Sequence, residues 1–339
     1  MASNLRAVIV GASTLLGKEL IEDLNTSQPS WDLRLTDTAD SSGQLIAGGD
    51  EALVVQPLTP DTFEASDIVF FATDPQITRA HWQEARSAGA AVIDLTSALE
   101  DVAGAAVRSP WLDSSSSKAI SDTIIPAHPA AVILGIVASR LTAAFGRVHL
   151  AATILEPASQ QGSRGLDEMH QQTINLLGFH SLPQEIYDAQ VAFNLRIAVG
   201  DSAKLNLAGI SAIIRRHLGA ITGDATAAAV SFQLVQAPVF HAYMMSAYAQ
   251  LPATTDTAAV RHALSGSLIH VTTTHEDAPT NQSIVEEQGI AIALTEDTAA
   301  QRGTRGFWLW IAADNLKLAA RQAVAVAADF AVSRTAKPQ

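Results

Sequence analysis

The chain has 339 residues, enough for two domains with substantial cores, and its 48% apolar and 16% charged residues describe a globular protein. Zero cysteines exclude disulfides, thiolate metal sites and a cysteine nucleophile; a formal charge of −13 without a Lys/Arg cluster argues against a nucleic-acid partner. No apolar run reaches the length of a membrane span, and no basic-then-apolar segment opens the chain, so the expectation is a cytoplasmic protein with no membrane partner.

The first stretch, Leu5 to Ile21, reads as strand, tight turn and helix. A β-branched run ends at Gly11, and Leu15, Leu16, Leu20, Ile21 and Leu24 then recur at helical spacing. Backbone N–H groups at such a helix start suit a pyrophosphate, which makes Gly11, Ser13, Thr14, Leu15 and Leu16 candidate cofactor contacts. A full dinucleotide fingerprint has glycine where Ser13 and Thr14 stand, and a Cβ there crowds the approaching phosphate. The other reading is a plain connection within a doubly wound domain.

Leu33 to Thr36 is a short second strand, followed by Asp37 and Asp40. An acid at this strand end accepts from a ribose 2′-hydroxyl and repels a 2′-phosphate, favouring NAD over NADP; alternatively both acids solvate the turn. Asp67 to Thr73 is another buried strand, with Thr73 at its cofactor-facing end. Ile77 to Gly89 reads as a helix, Ala90 to Thr96 as the next strand, and Ser114 to Ser117 as a surface loop. Ile124-Ile125-Pro126-Ala127-His128-Pro129 leads into a helix over Ala130 to Ala144, with proline at its first position. Strand–helix alternation indicates a parallel sheet wrapped on both faces.

Past position 147 the pattern changes. Strands are predicted at Val148–Leu155, Val191–Val199, Ala229–Phe240, Leu268–Thr274 and Phe307–Ala312, several with apolar–polar alternation. Helices are predicted at Gly165–Leu177 and Ala203–Leu218, with an alanine-rich closing helix at Asp314–Phe330. The ten histidines lack ligand spacing, so no metal is expected.

Four stretches in order, the N-terminal glycine turn, Ile125–Ile133, Ala158–Thr173 and Asp314-Asn315-Leu316, together resemble the aspartate-semialdehyde dehydrogenase family. The resemblance implies an α/β fold: a Rossmann-like NAD(P)-binding domain over 1–127 plus 314–339, and an α+β dimerisation domain over 128–313. It also implies a homodimer and NADP-dependent reductive dephosphorylation of aspartyl phosphate through a cysteine thiolate.

In that resemblance Pro129 stands at the nucleophile and Glu156 at the assisting glutamine. Gln236 takes the place of the substrate-binding arginine and Tyr243 that of the catalytic histidine, on a strand continuing into a loop. Glu100 replaces the phosphate-binding arginine, Asp40 the basic residue of the adenosine-phosphate turn, and Leu318-Ala319 the Lys-Gly after the closing motif. Asp201 and Lys204 match an anion-binding acid–lysine pair, or else are a helix-starting acid and a solvent-facing lysine. His128 and His241 are candidate acid–base groups, or else a turn histidine and a strand-end histidine.

Loss of catalytic groups of this kind costs about 10⁴ to 10⁶ in rate. The pattern is similar to the cysteine-less Usg-type homologues. The expectation is therefore a dimeric pseudoenzyme with residual dinucleotide binding, acting through a protein partner or as a nucleotide-responsive regulator. The alternative is an NAD(P)-dependent oxidoreductase acting on an aldehyde or oxo group without a covalent intermediate, using Tyr243, His128 or His241 as proton donor and Glu156 as base.

Overall fold

A computed structural model describes residues 5–48, 51–112, 121–146, 148–273, 277–287, 289–298 and 303–335. The chain divides into two compact units. Unit 1 is Met1–Ala127 with Ala319–Gln339, and unit 2 is His128–Leu318.

Unit 1 begins with β1 (Arg6–Val10), α1 (Leu15–Ser27) and β2 (Asp32–Asp37), then a hairpin of β3 (Leu45–Gly48) and β4 (Glu51–Val54), and the two-residue β5 (Gln56–Pro57). It continues through β6 (Ile68–Phe71), α2 (Pro75–Ser87), β7 (Ala91–Asp94), β8 (Ala106–Arg108) and β9 (Thr123–Pro126). The seven-stranded sheet runs β5-β2-β1-β6-β7-β9-β8, every pair parallel. Because side chains alternate across a strand, β1 sends Ala7 and Ile9 to one face and Val8 and Val10 to the other. Both sets are fully buried. The first packs on Leu20 and Leu24 of α1 and on Ala320, Ala323, Val324 and Phe330 near the end of the chain; the second packs on Ala85, Leu99 and Phe63. Burial on both faces is why these strands are continuous apolar runs.

Unit 2 opens with α3 (Pro129–Phe145), whose apolar sequence is buried continuously from Pro129 to Ala138. There follow β10 (His149–Glu156), α4 (Gly162–Leu177), α5 (Leu207–Thr222), α6 (Asp224–Ala228), β11 (Val230–Gln236), β12 (Tyr243–Pro252) and α7 (Thr257–Leu264). β13 (Ile269–Thr272), β14 (Ile290–Asp297) and β15 (Thr304–Ala313) complete a mixed sheet in the order β11-β10-β12-β15-β14-β13. The closing helix α8 spans Asn315–Thr335. One face of the sheet is covered along its length, and the other only at one end, where Ile284 packs with Met244, Ala291 and Ala312. On β10 the odd positions from His149 are more exposed and the even ones buried, and β15 exposes Trp308 and Trp310 while burying Phe307, Leu309 and Ile311.

Several expectations are corrected. Val191–Val199 is not a strand: it is a loop with one bridge, Arg196 to Gln236, and Phe193, Leu195 and Ile197 point into solvent with no neighbouring strand to cover them. The helix expected from Ala203 starts at Leu207, because the Asn206 side chain accepts the Gly209 N–H at 2.8 Å and sets the cap there. Asp201 is therefore not a helix-starting acid. Tyr243 is not in a loop but opens the ten-residue β12. The hairpin β3–β4, β8 and β14 were not expected from the sequence. The Ser114–Ser117 loop and the end of the Leu268–Thr274 strand at position 274 lie outside the described residues.

Candidate functional site

In unit 1 the turn after β1 is built on Gly11, at φ +90°, a backbone state that L side chains rarely adopt; an added Cβ would collide with the Ala72 carbonyl. Gly17 lets α1 ride directly over the turn, since a Cβ there would strike the Gly11 carbonyl. Thr14 caps α1: its Oγ1 accepts the Gly17 N–H at 2.9 Å and, as donor, reaches the Gly11 and Ala72 carbonyls, each at 2.8 Å. One Asp37 oxygen accepts the Ser13 N–H at 3.0 Å and the Ser13 hydroxyl, and the other accepts the Thr38 N–H at 2.7 Å. Asp37 is buried. It does not solvate the turn; it closes it. Asp40 is exposed in the short helical turn Ala39–Ser41, and Ser13, Thr14, Leu15, Leu16 and Thr73 are half-buried around Gly11. A further buried carboxylate, Asp94, accepts from Thr96 and Leu99, and burial raises its pKa above the ordinary value. These bonds hold the loop that carries Glu100.

In unit 2 three of the singled-out positions meet at strand ends. β10 and β11 pair Glu156 with Gln236, and β10 and β12 pair Leu155 with Met244, so Tyr243 flanks Glu156 on the other side. All three side chains have 0% exposure. Gln236 Nε2 donates to the main-chain carbonyls of Glu156 (3.1 Å) and Ala237 (3.0 Å). Both Glu156 carboxyl oxygens, Gln236 Oε1 and the Tyr243 hydroxyl have no hydrogen-bond partner of ordinary geometry. They are four of the seven such buried atoms among the described residues, so polar frustration is concentrated here. Burial pushes the Glu156 carboxyl up to about 8, with the adjacent Tyr243 hydroxyl pulling it partway back. Burial, then the Glu156 charge, pushes the Tyr243 phenol well above its ordinary value.

Beside this cluster lies the start of α3. The His128 Nδ1 accepts the Ala130 N–H at 3.3 Å, and its ring packs on Tyr243 with centroids 6.1 Å apart. The His128 N–H donates to Nδ1 of the fully buried His217 at 2.8 Å, which leaves any proton on a neutral His217 ring at Nε2. Pro129 has no N–H. The helix start that would favour an anion is thus occupied by proline and an imidazole cap. Nothing in the sequence pattern marked His217, which reads as one more residue of an amphipathic helix. Asn315, marked in the sequence only as part of the closing Asp314-Asn315-Leu316 stretch, accepts at Oδ1 from Ser159 and from the Ala242 N–H and so ties the turn before β12 to the start of α8.

Among the described residues, no hydrogen bond, ion pair or ring contact brings the remaining candidates to this cluster. His241 is half-buried in the turn ahead of β12, and Asp201 and Lys204 are exposed in the loop before α5. Among the described residues no group of three His, Asp or Glu side chains could hold a metal ion, and no helix is long and apolar enough to cross a membrane.

Residues 6–107 match the family model described as semialdehyde dehydrogenase, NAD binding domain, and residues 139–318 the one described as semialdehyde dehydrogenase, dimerisation domain. Among curated proteins, a USG-1 protein homolog of Pseudomonas aeruginosa is 30% identical over 79% of this chain and 80% of its own length. An aspartate-semialdehyde dehydrogenase of Rickettsia bellii is 24% identical over 94% of each chain. Among solved structures, a probable aspartate-semialdehyde dehydrogenase from Pseudomonas aeruginosa superposes with a TM-score of 0.84 at 26% identity, covering 96% of this chain and 98% of that one. With both domain models matched in order and the parallel and mixed sheets they require in place, this chain belongs to the semialdehyde dehydrogenase family.

Proposed function

We propose that this chain is a dimeric, non-catalytic member of the family that retains a dinucleotide-binding turn and acts through binding. The observation that carries the reading is the start of α3: proline stands where the resemblance puts the nucleophile, and the N–H that would face an anion is capped by His128. Acyl transfer needs a nucleophile and a base in reach of substrate. Tyr243, at the base position, is fully buried, as is Glu156, and this also removes the support for direct hydride transfer with Tyr243 as proton donor. The unit 1 turn keeps its glycine and its helix start, and the exposed Asp40, with the buried Asp37 at the end of β2, adds negative charge at that edge, which supports a preference for NAD over NADP.

Calorimetric titration with NAD and with NADP tests the binding arm: tighter binding of NAD supports it, and binding of neither overturns it. Turnover of aspartate semialdehyde by protein made in a host lacking its own enzyme would overturn the non-catalytic reading. For the dimer, the open face of the unit 2 sheet is the candidate surface. Tyr248 packs against Trp308 with ring centroids 4.8 Å apart and planes tilted by 59°, and Trp308 and Trp310 are 49% and 38% exposed, an apolar patch of the kind that a second copy covers. Replacing Trp308 with Glu is expected to shift the protein toward monomer in analytical ultracentrifugation, weakening association by about tenfold or more.

A further inference from the structure

The proposed function leaves Glu156 without a task, yet a fully buried carboxyl with no hydrogen bond of ordinary geometry is costly and needs a physical account. Its surroundings come from four elements. β11 contributes Gln236, whose amide nitrogen is spent on main-chain carbonyls, so that its unpartnered atom is an oxygen. β12 contributes the Tyr243 phenol. The N-cap of α3 contributes His128, whose ring packs on Tyr243. The loop after α4 contributes Tyr187, whose phenol is raised first by burial and then by the charges of Glu168 and Glu156. The two influences resolved on the Glu156 carboxyl are burial and the Tyr243 hydroxyl. An uncharged carboxyl in this setting can donate its own proton to Gln236 Oε1 or the Tyr243 oxygen. A carboxylate offers only acceptors, and of the two other free atoms in the chamber only the Tyr243 hydroxyl can donate to it.

The same strand ends are knitted by main-chain bonds that a swelling chamber would pull apart. The Glu156 carbonyl accepts the Ala237 N–H at 3.0 Å, and the Val239 and Phe240 carbonyls accept the Ala158 and Ser159 N–H groups, each at 2.9 Å. Ala242, held at φ +73°, hangs from Asn315 by its N–H.

We propose that the Glu156–Gln236–Tyr243 chamber is a pH-operated latch on unit 2: uncharged it holds the ends of β10, β11 and β12 together, and charging Glu156 releases them. The sign follows from linkage. The group is protonated in the folded protein at pH values where the unfolded chain has already lost the proton, so the stabilisation is complete below about pH 4.5 and is lost as pH rises through about 8.

The test compares full-length protein with Glu156→Gln, which keeps size and hydrogen-bonding capacity but cannot ionise. Thermal unfolding is followed from about pH 5 to about pH 9, together with hydrogen exchange at the Ala158, Ser159 and Ala237 amides. The expected result is a midpoint for the parent that falls across this range and one for E156Q that does not, so their separation widens with pH. Exchange at the three amides, corrected for intrinsic base catalysis, should speed up about tenfold or more in the parent above about pH 8 and stay flat in E156Q. A separation independent of pH, or equal exchange in both proteins, would overturn the latch. Tyr243→Phe supplies an independent readout should E156Q fail to fold: removing the hydroxyl that favours the charged form must move the parent's pH midpoint upward, and a downward or null shift also overturns it.

Discussion

The turn after β1 and the chamber at the end of β10 are both polar clusters at the carboxyl ends of strands, and they differ in how their acceptors are served. Around Gly11 every Asp37 oxygen and the Thr14 hydroxyl has a donor or acceptor in place, and the cluster acts as a fastener between β1, β2 and α1. Around Glu156 four buried oxygens have none. A satisfied carboxylate fixes geometry, whereas an unsatisfied carboxyl makes stability depend on its proton. The lesson is that burial of an acid is not informative until its donors are counted.

Substitutions can break or sharpen this contrast. The largest effect is expected in unit 1 from Gly11→Ala, which combines a positive φ with a steric overlap against the Ala72 carbonyl: a loss on the order of 3 kcal/mol, read by chemical denaturation of the purified protein. Glu156→Gln should act in the opposite direction. Its pKa displacement sets an upper bound near 3 kcal/mol of gain at about pH 7, and relaxation of the buried site reduces this to roughly 2, in the same assay. If E156Q instead destabilised at that pH, the contrast between the two clusters would collapse. Asp37→Asn keeps the shape but trades a charged acceptor of three bonds for an amide, one of whose faces is a donor turned toward N–H groups; a loss of about 1.5–2 kcal/mol is expected. Thr14→Ala, which removes the helix cap together with the hydroxyl donor to the Gly11 and Ala72 carbonyls, should cost about 1 kcal/mol.

How much of this was legible in the sequence follows the same physical divide. The central strands of unit 1 are buried on both faces and so read as unbroken apolar runs, from Ala7-Val8-Ile9-Val10 to Ile68-Val69-Phe70-Phe71. In unit 2 the sheet is fully covered on one face only, and weak β-formers carry much of it. β12 reads Met244-Met245-Ser246-Ala247, and β14 alternates Ile and Ala, so neither announced itself. Phe193, Leu195 and Ile197 show the converse: perfect alternation with a single bridge and no ladder, because alternation records which residues are apolar and not whether a partner strand is present. The identities at Pro129, Glu156, Gln236 and Tyr243 were readable one by one. Their adjacency was not, because it depends on the register of three strands far apart in the chain. The engagement of Asp37 by Ser13 was likewise invisible, since it requires β2 to lie beside the turn.

The closing helix has a consequence for how the protein is made. Ala320, Ala323, Val324, Ala327 and Phe330 sit in the same core cluster as Ala7, Ile9, Leu20 and Leu24, and the Gln322 amide donates to the Ala127 carbonyl at 2.8 Å. During synthesis residues 6–127 leave the ribosome with that face covered by α1 but lacking the side chains of α8 that complete it, and the whole of unit 2 must be translated before they arrive. Unit 2 is contiguous and can complete itself while unit 1 waits with an apolar face only partly covered. The nascent chain is therefore most prone to aggregation in the interval between Ala127 and Ala319, and truncation within α8 should harm solubility far more than the few residues removed would suggest.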